Sequence, residues 1–222
     1  MPEMDSRIYT IGTPPPKKKT RIRTSDTELQ HLFIAWIAIS TAFAFVLSGI
    51  GRFNLFSETV VHYFIVSLFT VGIGFLLHEL AHKVVAQQYG LWAEFRMSPP
   101  LLMFAVGVAY LAGWVFAAPG AVYISGSYIS SEQNGRIAAA GPLMNVLLAL
   151  IFWMIAMQSE FVEGLGVYGW LTISLGIQIN LWLAAFNMLP FSVLDGKKVL
   201  SWSKPAFAGI FLLIILAWGI LM

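Results

Sequence analysis

The sequence predicts an all-α polytopic membrane protein with five or six transmembrane helices and a re-entrant or β-hairpin segment near residues 94–126. Composition is the first reason. Of 222 residues, 58% are hydrophobic and 11% are charged, and the mean hydropathy of +0.77 lies well outside the range of a soluble domain. The second reason is a series of apolar stretches at about 32–50, 60–88, 99–118, 137–157, 166–190 and 205–222. Each is comparable to the roughly 20 helical residues that span a bilayer core. Little chain remains for an extramembrane domain, so residues 31–222 read as one transmembrane domain. The absence of cysteine excludes disulfide, iron–sulfur and thiolate–zinc chemistry. A formal charge of +2 is too small to recruit nucleic acid, and the lipid bilayer is the expected environment.

Residues 1–30 carry Pro14, Pro15 and Pro16 and no hydrophobic periodicity, the mark of a flexible tail. The basic run Lys17, Lys18, Lys19, Arg21 and Arg23 makes that tail cytoplasmic by the positive-inside rule. The stretch at 32–50 then runs outward as a retained first span rather than a cleaved signal peptide. The next, at 60–88, returns inward. It carries His78 and His82 to its inner half, roughly 27 Å along the helix from residue 60 at 1.5 Å per residue.

The stretch at 99–118 decides the topology of everything after it. If it crosses, the segment following Pro190 emerges outside, far from the histidines; if it folds back, that segment emerges inside, beside them. Charge favours folding back: Arg96, Arg136, Lys197, Lys198 and Lys204 then lie inside, Glu160 and Glu163 outside, with Arg52 the exception. Residues 99–126 also mix Gly107, Gly113, Gly120, Gly126 and Pro119 with Val106, Val108, Val115, Val122 and Tyr123. That composition suits a membrane-buried hairpin whose backbone polar groups are covered by protein. Stretches 137–157, 166–190 and 205–222 complete the bundle.

His78-Glu79-Leu80-Ala81-His82 is the motif that carries chemistry. Ionisable groups in lipid cost several kcal/mol, roughly, unless paired or ligated, so three within five residues need a joint purpose. Histidines four apart share a helical face and can bind one Zn2+, with Glu79 placed to act as a base on water. Hydrolytic zinc normally takes three protein ligands and keeps one position open. Asp5 and Asp26 belong to the tail, which leaves Asp195 of the three aspartates as third ligand. It follows Pro190, which ends the fifth stretch, and precedes Gly196, which permits a tight turn. The plainer reading pairs Asp195 with Lys197 or Lys198, and Glu79 with Lys83. A different class of function, a transporter or channel with an ion-binding histidine pair, would require repeated halves and a polar path through both leaflets. Neither is evident here.

With these residues the chain resembles the site-2 protease family of intramembrane zinc metalloproteases, peptidase family M50. The resemblance rests on His78 to His82, on Leu194-Asp195-Gly196, on Gly141-Pro142 with Asn145, and on Asn187 with Pro190. It covers a catalytic core of about residues 60–200. It implies zinc held by His78, His82 and Asp195, a catalytic Glu79, and single-span or other transmembrane protein substrates; the charge pattern sets the active-site opening on the cytoplasmic side. Asn145 is then the candidate donor to the reaction's oxyanion, or a holder of the substrate backbone. Its alternative role is an amide joining two helices. Asn187 is expected to brace the chain before Pro190, Asn180 and Gln178 to join helices, and His31 and His62 to sit at interfaces. Arg96, Ser98 and Arg136 read as interfacial anchors or as the lining of a water route. The glycine-interrupted 94–126 segment offers a strand edge to an unwound substrate.

Overall fold

The computed structural model describes residues 22–49, 57–115, 120–126, 128–191 and 193–222. The basic run from Lys17 to Arg21, the tail before it and Arg52 lie outside the described residues. Helix α1, Asp26–Ser48, opens on Ser25, whose hydroxyl accepts the Glu28 N–H at 3.2 Å, and Asp26 and Glu28 complement the exposed amides of its first turn. The helix therefore begins ahead of the apolar stretch at 32–50. Its start is held by Glu28, which is fully buried.

The partner of Glu28 lies on the second long rod. Helix α2, Glu58–Ser67, passes through one wide π turn, Leu68–Gly72, into α3, Ile73–Gln88, without a break. Trp36 Nε1 on α1 donates to the Leu68 carbonyl at 3.0 Å, covering a backbone group at the irregular turn. Further along, Lys83 Nζ donates to Glu28 Oε2 at 2.5 Å and to Thr24 Oγ1 at 2.8 Å. Glu28 Oε1 accepts the Phe95 N–H at 3.0 Å, and Gln87 Nε2 donates to the carbonyls of Arg23 and Ala93. The residues leading into α1 are thus strapped to α3 and to the strand that follows it.

Strand β1, Trp92–Met97, pairs antiparallel with β2, Gly120–Ser125, in a register that sets Phe95 opposite Val122 and Met97 opposite Gly120. Between them α4, Pro99–Ala112, starts on two prolines and stops at Gly113, whose φ of 68° requires the left-handed conformation. Its 14 residues extend about 21 Å, short of the roughly 30 Å hydrocarbon core. Because the flanking strands lie side by side, the chain enters and leaves this segment at one level. The sequence expectation of a re-entrant or hairpin element therefore takes the form of a hairpin with an apolar helix inserted at its tip.

Helices α5 (Ser131–Ala156), α6 (Ser159–Gly164), α7 (Gly166–Asn187), α8 (Asp195–Trp202) and α9 (Lys204–Leu221) complete the chain. A capping box at Ser130 and Gln133 opens α5. Among the described residues, five helices are long and apolar enough to span a membrane: α1, the α2–α3 rod, α5, α7 and α9. The protein is a multi-pass integral membrane protein. One buried cluster joins α1, α3, β1 and α7 through Leu32, Ile39, Phe75, Phe95 and Ile179. A second joins α5, α7, α8 and α9 through Ala139, Ala184, Met188, Val199 and Ile214. Outward-facing Phe33, Met103, Trp182, Leu212 and Ile220 are exposed, as lipid-facing side chains should be.

Candidate metal centre

His78 and His82 leave α3 on one face, four residues apart, and both are buried. Each ring nitrogen Nδ1 meets an acceptor on α5: His78 the Asn145 Oδ1 at 2.6 Å, His82 the Ile137 carbonyl at 2.7 Å. A neutral imidazole carries one proton, and these contacts draw it to Nδ1 in both rings. The two Nε2 atoms are left as acceptors, 3.0 Å apart.

Asp195 reaches the same point from the other end of the sequence. Pro190 follows the end of α7, and Leu194 in extended conformation leads into α8, whose first residue is Asp195. Gly196 lies inside the first turn of α8 rather than in a tight turn ahead of it. Its role is close packing: a Cβ there would lie 2.1 Å from the Met188 carbonyl oxygen. With α8 seated this tightly, Asp195 Oδ2 lies 3.3 Å from His78 Nε2 and 3.1 Å from His82 Nε2. Oδ1 accepts from Lys198 Nζ at 3.2 Å, so the lysine pairing occurs beside the histidine contacts rather than in their place.

With both imidazoles neutral and protonated at Nδ1, three lone pairs converge on one point. All candidate ligand atoms lie within 4.8 Å of one another, and all three residues are buried. Such a set repels itself unless a cation sits among its lone pairs. Ligands on a tetrahedral ion with bonds of about 2.0–2.1 Å lie about 3.3–3.4 Å apart, close to the edges observed. The backbone of α5 closes one side, for a Cβ on Gly141 would fall 2.5 Å from each Nε2. Pro142, buried inside the same helix, cannot donate to the carbonyl four residues before it, at the stretch where Ile137 receives His82. His78, His82 and Asp195 form a cluster able to coordinate a metal ion.

Glu79, next to His78 on the motif helix, accepts the backbone N–H of Val122 at 3.1 Å through Oε2. It does not pair with Lys83, which is committed to Glu28. The hairpin's position is thereby linked to the one carboxylate of the motif that stands outside the ligand triangle.

Asn145 is fully buried, and its Nδ2 donates to the Gly74 carbonyl at 3.1 Å and to Asn180 Oδ1 at 2.9 Å. Both amide hydrogens point away from the triangle. In this geometry the Asn145 oxygen faces His78, and its nitrogen joins α5 to α3 and α7. Asn180 in turn donates to the Gly176 carbonyl at 2.8 Å. Asn187 bonds back to Leu183 O at 3.0 Å, bracing the last turn of α7 as expected. His62 stacks on Tyr168 with centroids 4.2 Å apart, away from the cluster. The Ile137 carbonyl and the Val122 N–H have no counterpart in the sequence reading, because backbone donors and acceptors leave no side-chain signature; Gly141 appears there only as a motif residue, without its place against the imidazoles.

Comparison with known proteins bears on what this cluster does. The model for "Peptidase family M50" matches residues 63–168, a stretch that includes His78, Glu79, His82 and Asn145 and ends before Asp195. "Putative zinc metalloprotease MJ0611" of Methanocaldococcus jannaschii is 44% identical over 181 residues, covering 82% of this chain and 87% of that protein. "Putative zinc metalloprotease YwhC" of Bacillus subtilis is 27% identical over 163 residues, 67% of this chain and 72% of its own length. "Zinc metalloprotease MJ0392" of Methanocaldococcus jannaschii is 27% identical over 125 residues, 56% of this chain but 30% of the longer relative. No solved structure matches the chain.

Proposed function

The chain belongs to peptidase family M50, and from that premise we propose that it is an intramembrane zinc endopeptidase that hydrolyses peptide bonds within or near transmembrane helices of membrane protein substrates. The observation that carries the reading is the triangle of three facing acceptors, His78 Nε2, His82 Nε2 and Asp195 Oδ2, beside the Glu79 carboxylate. A transport function would need the ion site but not that adjacent base.

His78, His82 and Asp195 would hold one zinc ion, and the fit of their spacing to a tetrahedral ion supports the assignment. When bound, zinc supplies Lewis acidity toward a carbonyl and a water acidic enough to attack it near neutral pH. Glu79 takes the proton from the attacking water and returns it to the departing amide nitrogen. The Val122 N–H steadies one oxygen of Glu79 while the other remains for the proton. Asn145 and the Ile137 carbonyl keep the two imidazoles in the form that offers Nε2.

A helical substrate hides its peptide bonds in its own hydrogen bonds, so it must unwind before it can be cut. Residues of low helix propensity near the cut favour that step. The unwound chain docks along β2. Its partner edge on β1 is covered by Glu28 and Gln87, whereas the outer edge of β2 runs beside Glu79. The basic residues on the tail and around α8 support a cytoplasmic N-terminus and a cytoplasmic opening of the site.

The test compares the purified chain with Glu79→Gln on a single-span substrate in detergent, with and without a zinc chelator. Cleavage is expected only from the metal-loaded native chain. General acid–base catalysis is worth roughly 10²–10⁴-fold, so Glu79→Gln should fall by at least the lower figure. Chelator-resistant cleavage, or equal rates from both proteins, would end the proposal.

A further inference from the structure

The hydrogen bonds around Asn145 run in one direction, and they start on α7. Asn180 is fully buried there. Its Nδ2 donates to the Gly176 carbonyl at 2.8 Å, so its own Oδ1 faces the other way, toward α5. That oxygen accepts from Asn145 Nδ2 at 2.9 Å, and the Gly74 carbonyl takes a second hydrogen from the same nitrogen at 3.1 Å. With its nitrogen so committed, Asn145 presents oxygen to His78 Nδ1 at 2.6 Å. A primary amide and a neutral imidazole can each turn over and exchange donor for acceptor. A backbone carbonyl cannot. Gly176 therefore fixes the sense of Asn180, whose oxygen joins the Gly74 carbonyl in holding the Asn145 nitrogen away from His78.

We propose that Asn180 is a positioning residue of the metal centre. Anchored on the Gly176 carbonyl, it acts through Asn145 to hold His78 in the Nδ1–H tautomer, with the Nε2 lone pair turned toward His82 and Asp195. The purpose of this arrangement rests on the metal reading above, but the tautomer is a property of the metal-free protein and is testable without an ion. His82 is governed separately, by the Ile137 carbonyl at 2.7 Å. The two imidazoles thus take their orientation from different helices, one from the α5 backbone and the other from α7 through a pair of amides. Steric packing gives an independent handle, because a Cβ on Gly74 would stand 2.7 Å from Asn180 Oδ1. Gly74→Ala displaces that oxygen while leaving every hydrogen-bonding group in the series intact.

The experiment is ¹⁵N NMR of histidine-labelled, metal-free full chain in nanodiscs, with signals assigned through His78→Asn and His82→Asn. In the native chain both rings should show a protonated Nδ1 and a bare Nε2. In Asn180→Leu and in Gly74→Ala the Nδ1–H state of His78 should be lost while that of His82 persists. Asn180→Asp should retain both, since a protonated carboxyl can donate to Gly176 and accept from Asn145. Zinc affinity by competition should fall about 10–100-fold in the first two variants, the usual effect of releasing a partner that orients a ligand. An unchanged His78 in either of those variants overturns the proposal. So does equal loss at His82, which would mean general loosening of the site. A native chain with both tautomers in place and no affinity for zinc would reject the metal reading and leave the role of Asn180 standing.

Discussion

The backbone N–H of Val122 donates to the Glu79 carboxylate at 3.1 Å, so β2 and the motif helix meet in a hydrogen bond. Val122 lies opposite Phe95 in the ladder, and Phe95 turns its own N–H outward to Glu28. The pair is therefore of the kind that exchanges no ladder bonds. Ile124, two residues on, faces outward in the same way as Val122.

Proline at position 124 removes an outward N–H and leaves the β1–β2 ladder whole, whereas proline at 123 removes a ladder donor. Ile124→Pro should reduce cleavage of a single-span substrate at least tenfold with little change in thermal stability. Tyr123→Pro should lower the melting temperature. Undiminished cleavage by Ile124→Pro would remove the outer edge of β2 as the docking strand.

Gly141→Ala tests the ion's place without replacing any of the candidate ligands. The added methyl would lie 2.5 Å from both Nε2 atoms, so bound zinc, counted by elemental analysis, should drop from one per chain to near zero. Alanine also favours helix over glycine by about 1 kcal/mol, so a loss of metal without unfolding is the expected pattern. Stoichiometric zinc in Gly141→Ala would put the ion elsewhere.

Asp195→Asn keeps the shape of the third ligand and removes its charge. Zinc affinity should fall by more than the roughly 10–100-fold typical of a group that only orients a ligand, and competition with a chromophoric chelator would measure it. Affinity within that range would demote Asp195 from ligand to neighbour.

The buried pair of Lys83 and Glu28 predicts an asymmetric mutational pattern. Lys83→Met alone leaves a buried carboxylate unpaired, at a cost of about 3–5 kcal/mol. Adding Glu28→Gln should recover most of that loss, because glutamine still accepts the Phe95 N–H now held at 3.0 Å. Detergent-phase unfolding of the two single variants and the double variant decides it; additive losses would contradict the pairing.

The candidate metal-binding cluster was legible in the sequence because its chemistry is rare in an apolar chain: two histidines four apart, and one aspartate remaining outside the polar tail. The bundle was legible for the same reason, as was the fold-back that puts Asp195 beside the histidines, since charge and parity leave few topologies. What eluded sequence reasoning depends on direction rather than identity. Nothing in the residue Asn145 says that its oxygen faces His78 and both its hydrogens face away. Lys83 suggests Glu79, four residues earlier, and its actual partner is 55 residues distant. Gly196 reads as a turn, yet its absent side chain serves the approach of Met188. The segment at 94–126 announced strand character through its valines, but not the helix α4 between the strands.

The wide turn at Leu68–Gly72 has a geometric result for the rod that contains it. One extra residue per hydrogen-bonded ring advances the side chains beyond it by about 100° relative to an uninterrupted spiral. The two halves of the rod thus point their faces along different compass bearings. The earlier half leans on α1, while the later half packs on α5 and aims its imidazoles there. A single span can so serve two neighbours that no straight seam of side chains would reach together.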